Sequence, residues 1–126
     1  TGVELTSMAI PVIVAGEAWI RNKGLTLDAS SPKEYFEYLD RLPLPSRLDD
    51  ATLERARKYA YHFFFRRMIP LPCLSPDSGW PPYVVNIKKL DDLLPGKFPG
   101  LDVICEGILK GAPFIYHAEQ FGIHDL

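Results

Sequence analysis

The run Pro11-Val12-Ile13-Val14-Ala15-Gly16 constrains the fold of this chain more than any other segment. Val12, Ile13 and Val14 are consecutive and do not alternate with polar residues, the pattern of a strand covered on both faces, as in a parallel sheet. The run therefore points to an α/β protein. Ahead of it, residues 2–9 read as one or two helical turns with Val3, Leu5, Met8 and Ala9 on a buried side, ended by Pro11. Behind it, residues 17–28 are mostly polar, anchored by Trp19 and Ile20, with Gly24 where the backbone can turn or approach a ligand. A helix start, a buried strand and a glycine-punctuated loop are the parts from which α/β proteins build phosphate sites at strand ends.

Helices account for most of the remainder. Ser31-Pro32-Lys33-Glu34 is a capping-box start for a helix to about Leu42, with Tyr35, Phe36, Leu39 and Leu42 on one side. Asp49 or Asp50 caps the longest predicted helix, running to about Met68 with Leu53, Ala56, Ala60, Phe63, Phe64 and Met68 recurring at three- and four-residue steps. Twelve prolines are about twice the usual share, and five of them fall in 69–87, which reads as an extended connector with a short strand at 83–87. Residues 88–94 read as a short helix, and 101–109 as a terminal helix bounded by Gly111, with Leu101, Ile104, Ile108 and Leu109 at helical spacing. The expected fold is α/β and mainly helical, about four helices and one or two short strands. With one firm strand and a first residue that is threonine, the expectation is a single domain or fragment, the C-terminal part of a larger protein whose preceding strand lies upstream.

Composition excludes more than it identifies. At 126 residues the chain can bury a core of its own. Fourteen Lys and Arg against sixteen Asp and Glu leave a net charge of −2, which does not announce a nucleic-acid partner. Cys73 and Cys105 form no CxxC and have no histidine at ligand spacing, so no metal is expected, and reduced, buried thiols fit a cytoplasmic setting. No apolar run approaches the ~20 residues of a membrane span.

Thr1-Gly2-Val3-Glu4, the run Ile10 to Gly16 and Lys23-Gly24-Leu25-Thr26-Leu27-Asp28 resemble the donor-side half of bacterial capsular polysaccharide biosynthesis proteins, glycosyltransferase-like proteins of the GT-B type. The likeness covers about the first forty residues, and departs from the family at Ala9, where relatives carry glycine. It implies a partial C-terminal Rossmann-like domain of a GT-B fold. It also implies a nucleotide-sugar donor, a saccharide or lipid-linked acceptor, a missing N-terminal domain, and no cofactor. The chain alone is then expected to be inactive, since half a cleft cannot orient two substrates.

Candidate residues follow, each with a plainer role beside it. Thr1, Gly2 and Glu4 at a helix start can hold phosphate and ribose, or serve as an N-cap and a favourable first-turn acid. Arg21 and Lys23 can neutralise a phosphate leaving group, or be solvated loop charges. Glu17 can meet a sugar hydroxyl. His62 reads as a packed histidine, and His117 and His124 belong to the tail. No side chain stands out as a catalytic base. Arg55, Arg57, Lys58, Arg66 and Arg67 make the long helix basic as well as aromatic, fit to face water, a peripheral contact with the inner membrane or a second copy in a homodimer. The rivals are a noncatalytic interaction domain of a polysaccharide assembly complex and a sugar-nucleotide epimerase.

Overall fold

The computed structural model describes residues 1–44 and 47–121. The chain is mixed α/β and divides into two compact units, residues 1–62 and residues from 63 onward.

In the first unit, α1 (Gly2–Ser7) leads to β1 (Ile13–Val14), a loop, β2 (Leu27–Asp28), α2 (Pro32–Asp40) and α3 (Asp50–Tyr61). β1 and β2 pair in parallel, Ile13 opposite Leu27 and Val14 opposite Asp28. α1 packs on α3. Val3, Val14, Ile20, Leu25, Leu53 and Ala56 are buried there around Thr6, whose fully buried hydroxyl donates to the carbonyls of Gly2 and Val3. Both expected caps form. Ser31 Oγ accepts from Glu34 N–H at 3.2 Å, and Asp49 Oδ1 accepts from Thr52 N–H at 2.9 Å, so two chain reversals are fixed by local chemistry alone.

Three expectations for this unit are corrected: the cover of the strand, the Rossmann-like crossover and the inward place of Met8. The strand is two residues long, and within it only Val14 is buried while Ile13, on the opposite face, is half-buried, so one face of the ladder lacks full cover. A Rossmann-like domain joins parallel strands through a helix, whereas residues 15–26 cross from β1 to β2 through turns; the partial GT-B domain does not match the described residues. The apolar side of α2 is not core: no residue of that helix is buried. Met8 is likewise exposed, and Thr6 takes the inward position expected for an apolar side chain.

The second unit begins in a π-helix (His62–Arg67), so the predicted helix to Met68 is α-helical only to Tyr61. The short strand expected at 83–87 is β4 (Tyr83–Val85); within the expected extended connector it pairs antiparallel with β3 (Leu74–Pro76), which was not expected, to form a hairpin. The predicted helix at 88–94 is a 3-10 turn at Leu90–Leu93; α4 spans Pro99–Lys110 and α5 Ala118–Phe121. Gly111 ends α4 with φ +69, the left-handed cap read from the sequence. The buried residues of α4 are Gly100, against the Pro70 carbonyl, and Gly107, against the Phe114 ring, while Ile108 and Leu109 are exposed. The cysteines also differ from expectation: both are free, but only Cys73 is buried.

Candidate functional site

Parallel strands direct their carboxyl ends to one side, and the crevice beyond those ends is where α/β sheets place ligands. Here that crevice is a cavity of about 390 Å³. Its wall comprises Gly16 and Glu17 after β1, Arg21 from the crossover loop, Ser30 and Ser31 after β2, and Tyr35 and Phe36 on α2. Glu17 also lines a second cavity, of about 310 Å³, with Ala18 and Trp19.

Arg21 holds this end of the sheet together. Its Nη1 donates to the carbonyls of Val14 at 3.3 Å and Gly16 at 3.1 Å, and its Nη2 to that of Ala29 at 2.5 Å. One guanidinium thus ties the end of β1 to the end of β2 and is itself fixed in the cavity wall. The remainder of the loop is pinned by Asp28, which accepts from Asn22 N–H at 2.7 Å and from the Thr26 hydroxyl. Asn22 and Gly24 take left-handed backbone angles, φ +60 and +66, and the Gly24 carbonyl accepts from Arg55 at 3.2 Å. Gly24, Thr26 and Asp28, the motif residues behind the family likeness, therefore have structural work in this loop.

At the α2 start, Glu34 turns back and accepts from Ser30 through both its N–H and its hydroxyl, and from Tyr38 OH at 2.8 Å. Hydrogen bonds from Ser30 first, then Tyr38, lower its pKa from the ordinary carboxylate value to about 2. Because the folded value is depressed, its capping contribution is present in full above the unfolded value near 4.5 and is lost as pH falls through about 2. A carboxyl-carbon NMR titration is expected to find Glu34 still ionised at pH 3.5, where an unperturbed glutamate is mostly protonated. A midpoint above 4 would contradict the capping geometry.

The six sequence-derived candidates do not converge on one place. Glu17 and Arg21 meet in the cavity wall; Thr1, Gly2, Glu4 and Lys23 are not among its described lining residues. The Thr1 amine pairs with Glu4 Oε2 at 3.0 Å, and the Thr1 side chain makes no cap bond. A Cβ at Gly2 would meet only Ile20 Cγ2, at an ordinary 3.4 Å, so no close approach requires glycine there. Lys23 is exposed. The chain matches no family model, no curated protein and no solved structure. Its functional reading consequently rests on the residues of this cavity.

Elsewhere, His62 is exposed and not packed, since the π-helical turn presents it outward. His117 Nδ1 lies 3.3 Å from Glu119, which also pairs with Arg66 at 2.6 Å; His124 lies outside the described residues. The cations of the long helix are substantially engaged within the chain, Arg55 on Gly24, Arg57 on Ser7 and Lys58 on Glu54. Among the described residues no cluster of three His, Cys, Asp or Glu could hold a metal, and no helix is long and apolar enough to cross a membrane.

Ser30, Ser31, Tyr35 and Phe36 were not singled out as site residues from sequence. The available signal was the position of the capping box, three residues past the loop motif: a helix starting there must stand at the end of the strand before it.

Proposed function

We propose that this chain is part of a glycosyltransferase-like protein that uses a nucleotide-activated sugar to build a capsular or surface polysaccharide, and that the strand-end cavity receives the donor. The observation that supports this most is Arg21, a cation held at the wall of a cavity at the carboxyl ends of parallel strands. Sugar transfer releases a nucleoside phosphate whose negative charge grows as the glycosidic bond breaks, and a fixed guanidinium stabilises that charge without reorganising. Three of its five N–H groups are committed to carbonyls, which supplies the fixing. Glu17, exposed beside it, is assigned to a sugar hydroxyl. The acceptor, on this reading, is met by a further domain.

The test titrates the chain with a nucleoside diphosphate and with the corresponding nucleotide sugar, following the backbone amides of Gly16, Arg21 and Ser31 by NMR. Glu17→Gln is expected to weaken nucleotide-sugar binding by about tenfold and to leave the nucleoside diphosphate unchanged. Saturable binding of neither ligand at millimolar concentration would reject the donor site. Equal losses for both ligands would remove Glu17 from the sugar.

A noncatalytic interaction domain of a polysaccharide assembly complex is the second reading. It is favoured by apolar exposure in the second unit, where Trp80 is 94% exposed and Val84, Val85 and Leu90 are also uncovered.

A further inference from the structure

We infer that Phe36, with Tyr35 beside it, forms the stacking wall for the nucleobase of the ligand in the strand-end cavity, an assignment that rests on the donor reading above. Phe36 is 61% exposed although the helical pattern of α2 places it on the apolar side. Its ring centroid lies 5.9 Å from that of Tyr35 at an interplanar angle of 57°, and both residues line the cavity. A large aromatic surface left open on a cavity wall contributes nothing to the core, and a planar ring laid on it would remove that surface from water.

The polar groups nearby decide which part of a nucleotide sugar belongs on this side. The Ser30 hydroxyl donates to Glu34, the Ser31 hydroxyl accepts from Glu34 N–H, and the Glu34 carboxylate is filled by Ser30 and Tyr38. Pro32, at the first helical position, has no N–H to offer. A phosphate at this helix start gains no N–H from Pro32, and the Ser30 hydroxyl hydrogen is already given to Glu34. A nucleobase needs only a π-face. The charged groups of the cavity lining, the Arg21 cation and the Glu17 carboxylate, come from the segment following β1. This order places the base against α2 and the phosphates toward Arg21.

The experiment measures the binding of a nucleoside, its diphosphate, inorganic pyrophosphate and a free monosaccharide to the full chain and to its Phe36→Ala and Phe36→Trp variants. Because Phe36 is largely exposed, both variants are expected to melt within a few degrees of the parent. Phe36→Ala should weaken nucleoside and nucleoside diphosphate by roughly tenfold and leave pyrophosphate unchanged, and Phe36→Trp should retain nucleotide affinity. Unchanged nucleoside diphosphate affinity in Phe36→Ala would overturn the assignment while leaving the donor site in place. So would a loss confined to the monosaccharide, which would give the wall to the sugar. If the parent chain binds no nucleotide, the donor reading itself fails and this one falls with it.

Discussion

Replacing Gly100 with alanine is expected to destabilise the second unit by about 3 kcal/mol or more. Gly100 is the second residue of α4, and a Cβ built on it would lie 1.9 Å from the Pro70 carbonyl oxygen and 3.0 Å from Ile69 Cγ2. A separation of 1.9 Å is far inside contact distance, and the obstructing atom is backbone, so relief requires moving either the start of α4 or the segment after the π-helix. Gly107, two turns along the same face, supplies the control. A Cβ there meets the Phe114 ring at 2.6 Å, but Phe114 is 51% exposed and can swing aside. Alanine also gains up to ~1 kcal/mol of helix propensity over glycine, so Gly107→Ala is expected within about 1 kcal/mol of the parent. Urea unfolding of the two variants reads the difference, and equal midpoints would show that the close approach at Gly100 is not there.

Arg21→Ala is expected to cost about 3 kcal/mol, because three carbonyls at the strand ends lose a charged donor together. Deleting the cation is expected to do more than remove charge from the cavity wall. It frees the end of β1 from the end of β2, so the cavity should lose its shape along with its charge. Arg21→Lys is expected to restore little, since one ammonium on a flexible stem cannot reproduce the planar fork that reaches Val14, Gly16 and Ala29. Hydrogen exchange at the amides of Leu27 and Ala29, which bond the carbonyls of Val12 and Val14, localises the effect. Faster exchange there, with α3 protected as before, is the expected pattern. A variant as stable as the parent would mean that the carbonyls are satisfied without Arg21.

Where the physics is local, residue types were enough to read this chain. Ser31 and Asp49 announce their helices because a cap is a bond between residues three apart, and Gly111 announces a helix end because a left-handed angle is cheap only for a few residue types. Arg21 and Glu17 were legible as candidates for a related reason: polar side chains after an apolar run stand at the end of a strand. Thr1, Gly2, Glu4 and Lys23 satisfied the same residue chemistry, yet are not among the described residues lining the cavity. Spacing along the chain does not say which way a short helix or a loop turns.

The extent of the sheet was less legible. Three consecutive apolar residues predict burial on two faces, but only elements packed on a face supply its cover, and of Val12, Ile13 and Val14 only Val14 is buried. Of the hairpin at 74–85 only the second strand was legible; Leu74–Pro76 escaped notice because its proline-rich sequence lacks strand alternation, and the ladder depends on pairing across a turn. On α4, periodicity favoured Ile108 and Leu109 for the core, while packing selected the two glycines. The sequence by itself determined the α/β class, the caps, the chain reversals and a polar cluster after the first strand, all of which depend on neighbours within a few residues. Only the tertiary structure decided that Arg21 is a clasp, that Phe36 remains uncovered on a cavity wall, and that glycine forms the inner face of α4. The Arg21 clasp reaches carbonyls five to eight positions away and Gly100 meets the Pro70 carbonyl, so these features depend on how the backbone turns and packs and not on spacing within one element.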